Sequence, residues 1–343
     1  MPERTVAARV ARALTEFAVS KGGSRKALAE RSGIEPAELR NGDNRIPFAR
    51  YVALMKAGQA LCNDPALALH FGEAIDVSEI SIGCVLAGSS QTIDEAFAQV
   101  NRYARLGVEV EGVGNGDRFQ LRRGAGQLWI VDARRNPNDC PELTEETFAR
   151  MVCSTRRSLG DTQLFKALHV THAEPAYRAE YQRIFRARVV FGSDKNALRI
   201  DEALLSSYRL PPSSRYVSGV LKEHAETLLK RLERSQSMRG RVESLLMPIL
   251  QTGDVRMDMV TGKLGLSRQT LFRKLKTEGV TFEQVLDELR YKLALHYLSA
   301  NKASVNQTAC LVGYSDPAAF SRAFKRWTGF SPRMYVSRCV ASA

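Results

Sequence analysis

Between residues 264 and 332 the chain states one short pattern twice. The first copy opens on Leu264-Gly265-Leu266-Ser267 and closes on Gly279. The second opens on Val312-Gly313-Tyr314-Ser315 and closes on Gly329, its first glycine 48 residues after that of the first copy. In both, an apolar-Gly-apolar-Ser turn leads into a basic segment. A turn glycine accepts positive φ without a Cβ penalty. Ser267 stands where it can cap a following helix, and Asp316-Pro317 supplies an acidic cap with Pro in the first helical position. Leu271 and Leu275 then share one helical face, as do Phe320 and Phe324. With those faces buried, Gln269, Phe272, Arg273 and Lys276 project from the first unit, and Pro317, Ala318, Ser321, Arg322 and Lys325 from the second. Arg268 and Arg326 extend the two sets. A basic helix of this kind, buried on one side, suits a DNA major groove. One such unit is compatible with any solvated helical domain; two in register are not easily explained that way.

The connection between the copies is also helical. Thr281-Phe-Glu-Gln284 and Ser304-Val-Asn-Gln307 both match capping boxes. A helix over 282–299 would be about 27 Å long. It can hold two recognition helices about 34 Å, or one DNA turn, apart, so that one chain reads two successive major-groove segments.

These residues resemble the DNA-binding domain of the AraC/XylS family of bacterial transcription regulators. The run from Gly313-Tyr-Ser-Asp-Pro through Phe-Lys-Arg-Trp-Thr-Gly-Phe-Ser-Pro332 carries the resemblance, and Tyr335 fits its usual end. There are departures: Thr308-Ala309 and Val260-Thr261 replace the usual Ile-Ala-type pairs, and Val336 replaces an Arg. The resemblance places Gln269, Arg273, Ala318 and Arg322 in base-reading positions. Phe272 stands where a polar reader is frequent; it can instead contact a thymine methyl.

Charge follows the motif. Residues 236–343 carry 16 Lys and Arg against 8 Asp and Glu, whereas the 235 before them carry 34 against 29. The basic excess is concentrated where phosphate binding is expected. Six cysteines, at 62, 84, 140, 153, 310 and 339, lack metal-type spacing. With no signal peptide and no apolar run of transmembrane length, free thiols in a reducing cytoplasm and no membrane association are expected.

The length suits two domains, or three with a small one. Before the motif, helices are expected over 5–20, 25–31, 47–61 and 65–74, with a turn at Asn41-Gly42-Asp43. From Ile75 the texture becomes α/β. A capping box at Thr92-Ile-Asp-Glu95 opens a helix to about Leu106. Val108, Val110 and Val113 alternate as a strand, Gly114-Asn-Gly-Asp117 reads as a hairpin turn, and 118–123 and 127–133 read as further strands. A helix over 142–159, strands at 167–171, 189–191 and 198–200, and a helix over 176–185 complete the region. A helix over 213–232 and a polar linker at 233–239 follow. The expected fold is therefore an α+β N-terminal sensor domain, then an all-α DNA-binding domain with two helix-turn-helix units joined by a long helix. The expected domains are 1–210, a helix and linker at 211–238, and 239–338.

Residues 1–210 resemble the large α/β sensor domain of the family branch related to the ornithine-use and VirS-type regulators. Asp64-Pro-Ala-Leu-Ala-Leu69, the 90–106 helix with Tyr103, His172-Ala-Glu-Pro175 and Tyr181-Gln-Arg-Ile-Phe185 carry this resemblance. The pattern does not suggest the cupin-type arabinose pocket of the family's namesake.

Enzymatic signatures are absent from the sequence: there is no P-loop, dinucleotide fingerprint or nucleophile elbow. His169 and His172 have no ligand partners at metal spacing and read as structural. Glu145-Glu146 and Asp94-Glu95 are explained by helix starts. No catalytic residue, metal or cofactor is expected. Tyr103, Phe119, Trp129, Arg102 and Arg105 are candidates for an effector pocket, but each reads more simply as core or solvated surface, and the effector site stays unassigned.

The reading is a transcription regulator, by resemblance usually an activator, that engages double-stranded DNA and RNA polymerase under control of an unknown small-molecule effector. Dimerisation through the sensor domain is common in the family. The alternative is an effectorless DNA-binding protein whose N-terminal domain only dimerises.

Overall fold

The first helix does not start where its periodicity begins. In the computed structural model, which describes residues 4–90, 92–110, 117–124, 126–160, 163–202, 215–253, 255–299 and 303–341, Thr5–Ala7 form a short strand, β1. It pairs antiparallel with β2 (Arg45–Pro47), with Val6 opposite Ile46. The helix expected from Thr5 is thus shortened to α1 (Ala8–Ser20). The β-branched Thr5 and Val6 are at ease in an extended backbone. Val10, Ala11, Leu14 and Ala18 on its inner face are buried against Leu28 of α2 (Arg25–Ser32) and Tyr51 and Leu54 of α3 (Phe48–Leu61). Gly33 ends α2 in the left-handed region, at φ 67°.

The chain continues through α4 (Leu67–Ala74), two short helices absent from the sequence reading, α5 (Val77–Ile80) and α6 (Ile82–Ala87), and α7 (Ile93–Gly107). Thr92 caps α7 by accepting from Glu95 N at 3.2 Å. The long helix α8 (Pro141–Leu159) packs closely on α4. A Cβ at Gly72 would lie 2.4 Å from the Glu146 carbonyl oxygen, so only glycine lets the two backbones approach this way.

A five-stranded sheet completes the N-terminal unit. Its strands are β3 (Phe119–Gly124), β4 (Gln127–Asp132), β5 (Phe165–His169), β6 (Arg188–Val190) and β7 (Ala197–Ile200), in the spatial order β3-β4-β7-β5-β6. Neighbours are antiparallel except β5 and β6. Helix α9 (Arg178–Phe185) lies between those two in sequence, as a parallel pair requires a crossover. The strand expected around 108–113 is reduced, among the described residues, to a single bridge between Val108 and Val6. The turn signal at 114–116 lies outside the described residues. The hairpin of the sheet is β3–β4, closing where Gly124 pairs with Gln127. The sheet and α8 share a core of Leu128, Ile130, Phe148, Val152, Leu168 and Leu198, joined by Tyr181 and Ile184 of α9.

Helix α10 (Arg215–Gln236) runs through most of the segment expected as linker. Only Ser237 separates it from α11 (Met238–Leu246), which Ser237 caps by accepting from Gly240 N at 2.9 Å. A Cβ at Gly240 would collide with the Arg234 carbonyl, so the tight bend demands that glycine. The chain divides into two compact units, Met1–Leu229 and Lys230–Ala343. In the second, a 3-10 segment (Met247–Thr252) is followed by α12 (Met257–Leu264), α13 (Arg268–Thr277), α14 (Phe282–Ser299), α15 (Val305–Leu311), α16 (Pro317–Thr328) and α17 (Pro332–Ala341). Helix α14 serves two small cores. Phe282, Val285 and Leu289 pack with Leu271 and Leu275; Ala294 and Leu298 pack with Phe320 and Phe324; Leu293 touches both clusters.

Candidate nucleic-acid interface

Each helix-turn-helix is set by its turn and its cap. Gly265 ends α12 at φ 63°, and Ser267 caps α13 by accepting from Thr270 N at 3.2 Å. Gly313 takes φ 79° in the second turn, and a Cβ there would lie 2.2 Å from the Leu250 carbonyl oxygen. Asp316 accepts from Ala318 N at 2.9 Å and Ala319 N at 3.0 Å, with Pro317 opening α16. Both capping boxes are formed. Thr281 N donates to Gln284 Oε1 at 2.8 Å with Gln284 N returning to Thr281 Oγ1 at 3.2 Å. Ser304 and Gln307 make the equivalent pair at 2.9 and 3.2 Å. Each box satisfies donors that a helix start leaves unpaired.

The inner faces are closed: Leu271, Leu275, Phe320 and Phe324 are at most 1% exposed. The outer face of α13 carries Arg268, Gln269, Phe272, Arg273 and Lys276, all exposed. Phe272 is 53% exposed, unusual for a large aromatic, and no core claims it. On α16, Ala318, Arg322, Lys325 and Arg326 are exposed, while Pro317 and Ser321 are half-buried and the Ser321 hydroxyl donates to the Pro317 carbonyl.

The arginines are not equivalent. Arg268 is clamped by Asp258 through two of its nitrogens. Arg326 donates to Asp287 at 2.8 Å, and Arg322 lies 3.7 Å from Asp316. Arg273 and Lys276, by contrast, have no side-chain partner among the described residues. The sequence reading missed this division, because the acidic partners are up to 39 residues away. It also missed how α14 holds the second unit. Arg290 lies 4.7 Å over the Tyr314 ring and donates to the Gly313 carbonyl at 3.4 Å, and Tyr291 meets Trp327 edge to face. Glu278, just past α13, accepts from Met238 N at 2.6 Å and Arg239 N at 3.0 Å, tying the first unit to the start of α11.

The N-terminal unit arranges its charge differently. Asp132 is buried between Arg118 and Arg134, each with a nitrogen 3.0 Å from Asp132 Oδ2. Burial disfavours its ionised form, but the two guanidinium charges and their hydrogen bonds outweigh this and hold the carboxyl below its usual range. Glu145 is also buried. It accepts the hydroxyls of Tyr177 and Tyr181, both at 2.8 Å, yet burial still raises its carboxyl to about 7. This corrects the reading of Glu145 and Glu146 as helix-start charges. They lie beyond the first turn of α8, with side chains turned into the protein. His169 and His172 have local partners: Ser193 Oγ at 3.0 Å for the first, and Tyr181 Oη and the Ala173 carbonyl, both at 2.9 Å, for the second.

The pocket candidates are engaged elsewhere. Tyr103 is buried and donates to Glu226 at 2.6 Å, beside Arg102 at 2.7 Å from the same carboxylate. Phe119 belongs to the sheet core, and Trp129 packs against His169 and beneath Lys195.

Comparison with known proteins follows the same division. Residues 22–208 match the family described as the arabinose-binding domain of AraC transcription regulator, N-terminal. Residues 260–338 match a helix-turn-helix domain family. The ornithine utilization regulator of Pseudomonas aeruginosa is 27% identical over 329 residues, covering 95% of this chain and 94% of its own. The VirS regulator of Mycobacterium tuberculosis is 27% identical over 198 residues, 57% of this chain and 55% of its own. Among solved structures, the transcriptional regulator CdpR of Pseudomonas aeruginosa is 22% identical, covers 79% of this chain and 86% of its own, and superposes with a TM-score of 0.37.

Proposed function

The chain belongs to the AraC family of transcription regulators, and from that premise we propose that it reads promoter DNA as a two-part site under control of a small molecule. The observation that carries the reading is the pair of capped helices α13 and α16, each with a closed apolar face and an exposed basic one, on a single chain. Arg273 and Gln269 of α13 and Arg322 and Ala318 of α16 read base edges; Phe272 packs on a thymine methyl; Lys276 and Lys325 contact phosphates. Arg268 and Arg326 reach phosphate by exchanging Asp258 and Asp287 for the DNA backbone. Pro317 and Ser321 shape the start of α16 against the groove wall. Helix α14, about 27 Å long at 1.5 Å per residue, spaces the two readers about one DNA turn apart.

Residues 1–210 form the effector-binding and dimerisation domain, 211–238 the helix and linker that lead out of it, and 239–338 the DNA-binding domain. The effector biases how the DNA-binding domain engages DNA and RNA polymerase, with activation as the output. The relatives named above are regulators, so the function is assigned to binding rather than catalysis. Among the described residues no helix is long and apolar enough to cross a membrane; a cytoplasmic setting is part of the proposal. A homodimer through residues 1–210 completes the reading.

Selection from random-sequence duplexes followed by footprinting of the full chain tests this. Two protected major-groove segments about one turn apart on one strand face are expected. A single protected segment, or binding without sequence preference, would defeat the two-part reading.

A further inference from the structure

The five-stranded sheet of the N-terminal unit commits only one of its faces to a hydrophobic core. Leu128, Ile130, Leu168 and Leu198 pack with Phe148 and Val152 of α8. Their neighbours along each strand point the other way, as the alternation of a strand requires. The register aligns five of these neighbours in one row that crosses every strand: Arg122 of β3, Trp129 of β4, Arg199 of β7, Ala167 of β5 and Arg188 of β6. At about 4.8 Å between strands the row is about 19 Å long, with its arginines about 10 Å apart. Trp129 and Ala167, and Val131 and Ala197 of the next row, belong to none of the hydrophobic clusters among the described residues.

This face is basic. Arg122 and Arg188 are exposed, and Arg199 is half-buried. Arg122 donates to Gln120 Oε1 at 2.8 Å, a neutral partner, and Arg188 and Arg199 form no ion pair among the described residues. Lys195 joins them, 4.3 Å over the Trp129 ring, and His169 meets that ring edge to face at 4.8 Å. Burial first, and then the charges of Lys195, Arg188 and Arg199, lower the His169 imidazole from its ordinary range against the opposing charge of Asp194. The cations beside the row are neutralised instead: Lys166 lies 3.3 Å from Asp201, and Arg123 lies 2.8 Å from Glu202.

Uncompensated cations on a broad face call for an anion, and their spacing says which kind. A single carboxylate or phosphate spans at most two of these arginines. The Trp129 ring is engaged by Lys195 and His169, so it is not offered to an unstacked base or an aromatic ligand. Duplex DNA presents a phosphate about every 3.4 Å of axis in each strand, enough to meet the whole row at once. Arginine and lysine reach phosphate oxygens without reading bases. We propose that this face of the sheet, through Arg122, Arg199, Arg188 and Lys195, is a second DNA contact that binds the phosphate backbone of a duplex without sequence preference. The choice of DNA as the polyanion rests on the regulatory reading above; the basic row does not depend on it. The row engages whichever duplex reaches it, the one held by α13 and α16 or another.

The test is the salt dependence of DNA binding by the full chain, measured by fluorescence anisotropy on a random-sequence duplex and on one carrying the selected site. Each phosphate contact contributes about 0.9 to the slope of log K against log salt. The combined variant Arg122→Gln, Arg188→Gln, Arg199→Gln should make the slope shallower by about 2–3 and weaken both duplexes by the same factor. Lysine at the same three positions should restore most of the slope, because phosphate accepts a point charge. Arg188→Gln alone, at the exposed edge of the sheet, should lower the slope by about 0.9 with Tm unchanged, and it decides the matter if the combined variant does not fold. An unchanged slope in a folded variant overturns the proposal. So does a loss confined to the selected site, which would make these residues base readers. A saturable Tm rise with inorganic pyrophosphate, abolished in the combined variant while the DNA slope stays, overturns it in favour of a small anion. The two conclusions fail separately. Footprinted binding at the selected site with an unaltered slope removes only the second contact. A shallower slope on random duplex in a chain with no sequence preference removes only the two-part reading.

Discussion

The N-terminal unit buries some of its charged side chains, and among the described residues the C-terminal unit buries none. Arg118, Asp132, Glu145 and Glu146 are all at most 7% exposed. Arg268, Arg273, Lys276, Arg322 and Lys325 stand in solvent. Buried ionic groups are costly unless paired and hydrogen-bonded, so they hold one packing arrangement at the expense of stability. Displayed ones contribute little to stability but remain available to a polyanion. The difference teaches where each unit is sensitive: the first to loss of a charge partner, the second to loss of a contact with DNA.

The contrast breaks most visibly at Asp132. Its replacement by Ala strands two buried guanidinium groups and should cost about 3–5 kcal/mol in urea unfolding of the full chain. A loss of the size seen for an exposed pair would mean that the cluster is solvated. In the C-terminal unit, the comparable sensitivity lies in the backbone. Gly313→Ala and Gly265→Ala each force a Cβ into the left-handed region, at about 1–2 kcal/mol. Gly265 has open space around it, whereas Gly313 abuts the Leu250 carbonyl, adding about 1–3 kcal/mol of overpacking. Equal losses at the two glycines would show that Leu250 gives way.

Glu145 sharpens the contrast through pH. Its folded carboxyl is raised to about 7 from an ordinary 4.5 by burial. The folded state therefore binds more protons across that window. The stabilising contribution is full below about 4.5 and is lost as pH rises through about 7, by roughly 1–3 kcal/mol. Glu145→Gln should flatten this slope in unfolding measured from pH 4.5 to 8; an unchanged slope would assign the pH dependence to other groups.

Arg273→Ala should leave stability alone and cost about 1–3 kcal/mol on the selected DNA site, with relaxed base preference. Equal weakening on every sequence would make Arg273 a phosphate contact. The smallest change is expected from Asp258→Asn. This exposed group contributes no measurable stability, so Tm should not move, while release of Arg268 should tighten DNA binding. Weaker binding would mean that Asp258 holds Arg268 in its binding pose.

Legibility in the sequence followed the range of the interactions. Capping boxes, turn glycines and i,i+4 apolar pairs act within a few residues, and Thr281, Ser304, Asp316, Gly265, Gly313, Leu271 and Phe324 stand as the pattern predicts. Errors arose where a distant partner decided. Thr5–Ala7 has helical periodicity but meets Arg45–Pro47 and becomes strand. The polar stretch at 233–236 reads as linker but continues α10. Glu145-Glu146 looks like a helix-start signal, yet Tyr177 and Tyr181, more than 30 residues on, donate their hydroxyls to the first of the pair.

By itself the sequence determined the two helix-turn-helix units, the helix between them, the basic bias of the C-terminal part and the family, because each is written in local spacing and composition. Tertiary structure alone decided which arginines of the recognition helices are held by carboxylates and which stand free. It also decided that two adjacent glutamates are buried. These outcomes depend on chain segments brought together from far apart, and electrostatic energy depends on the distances and burial that such packing creates.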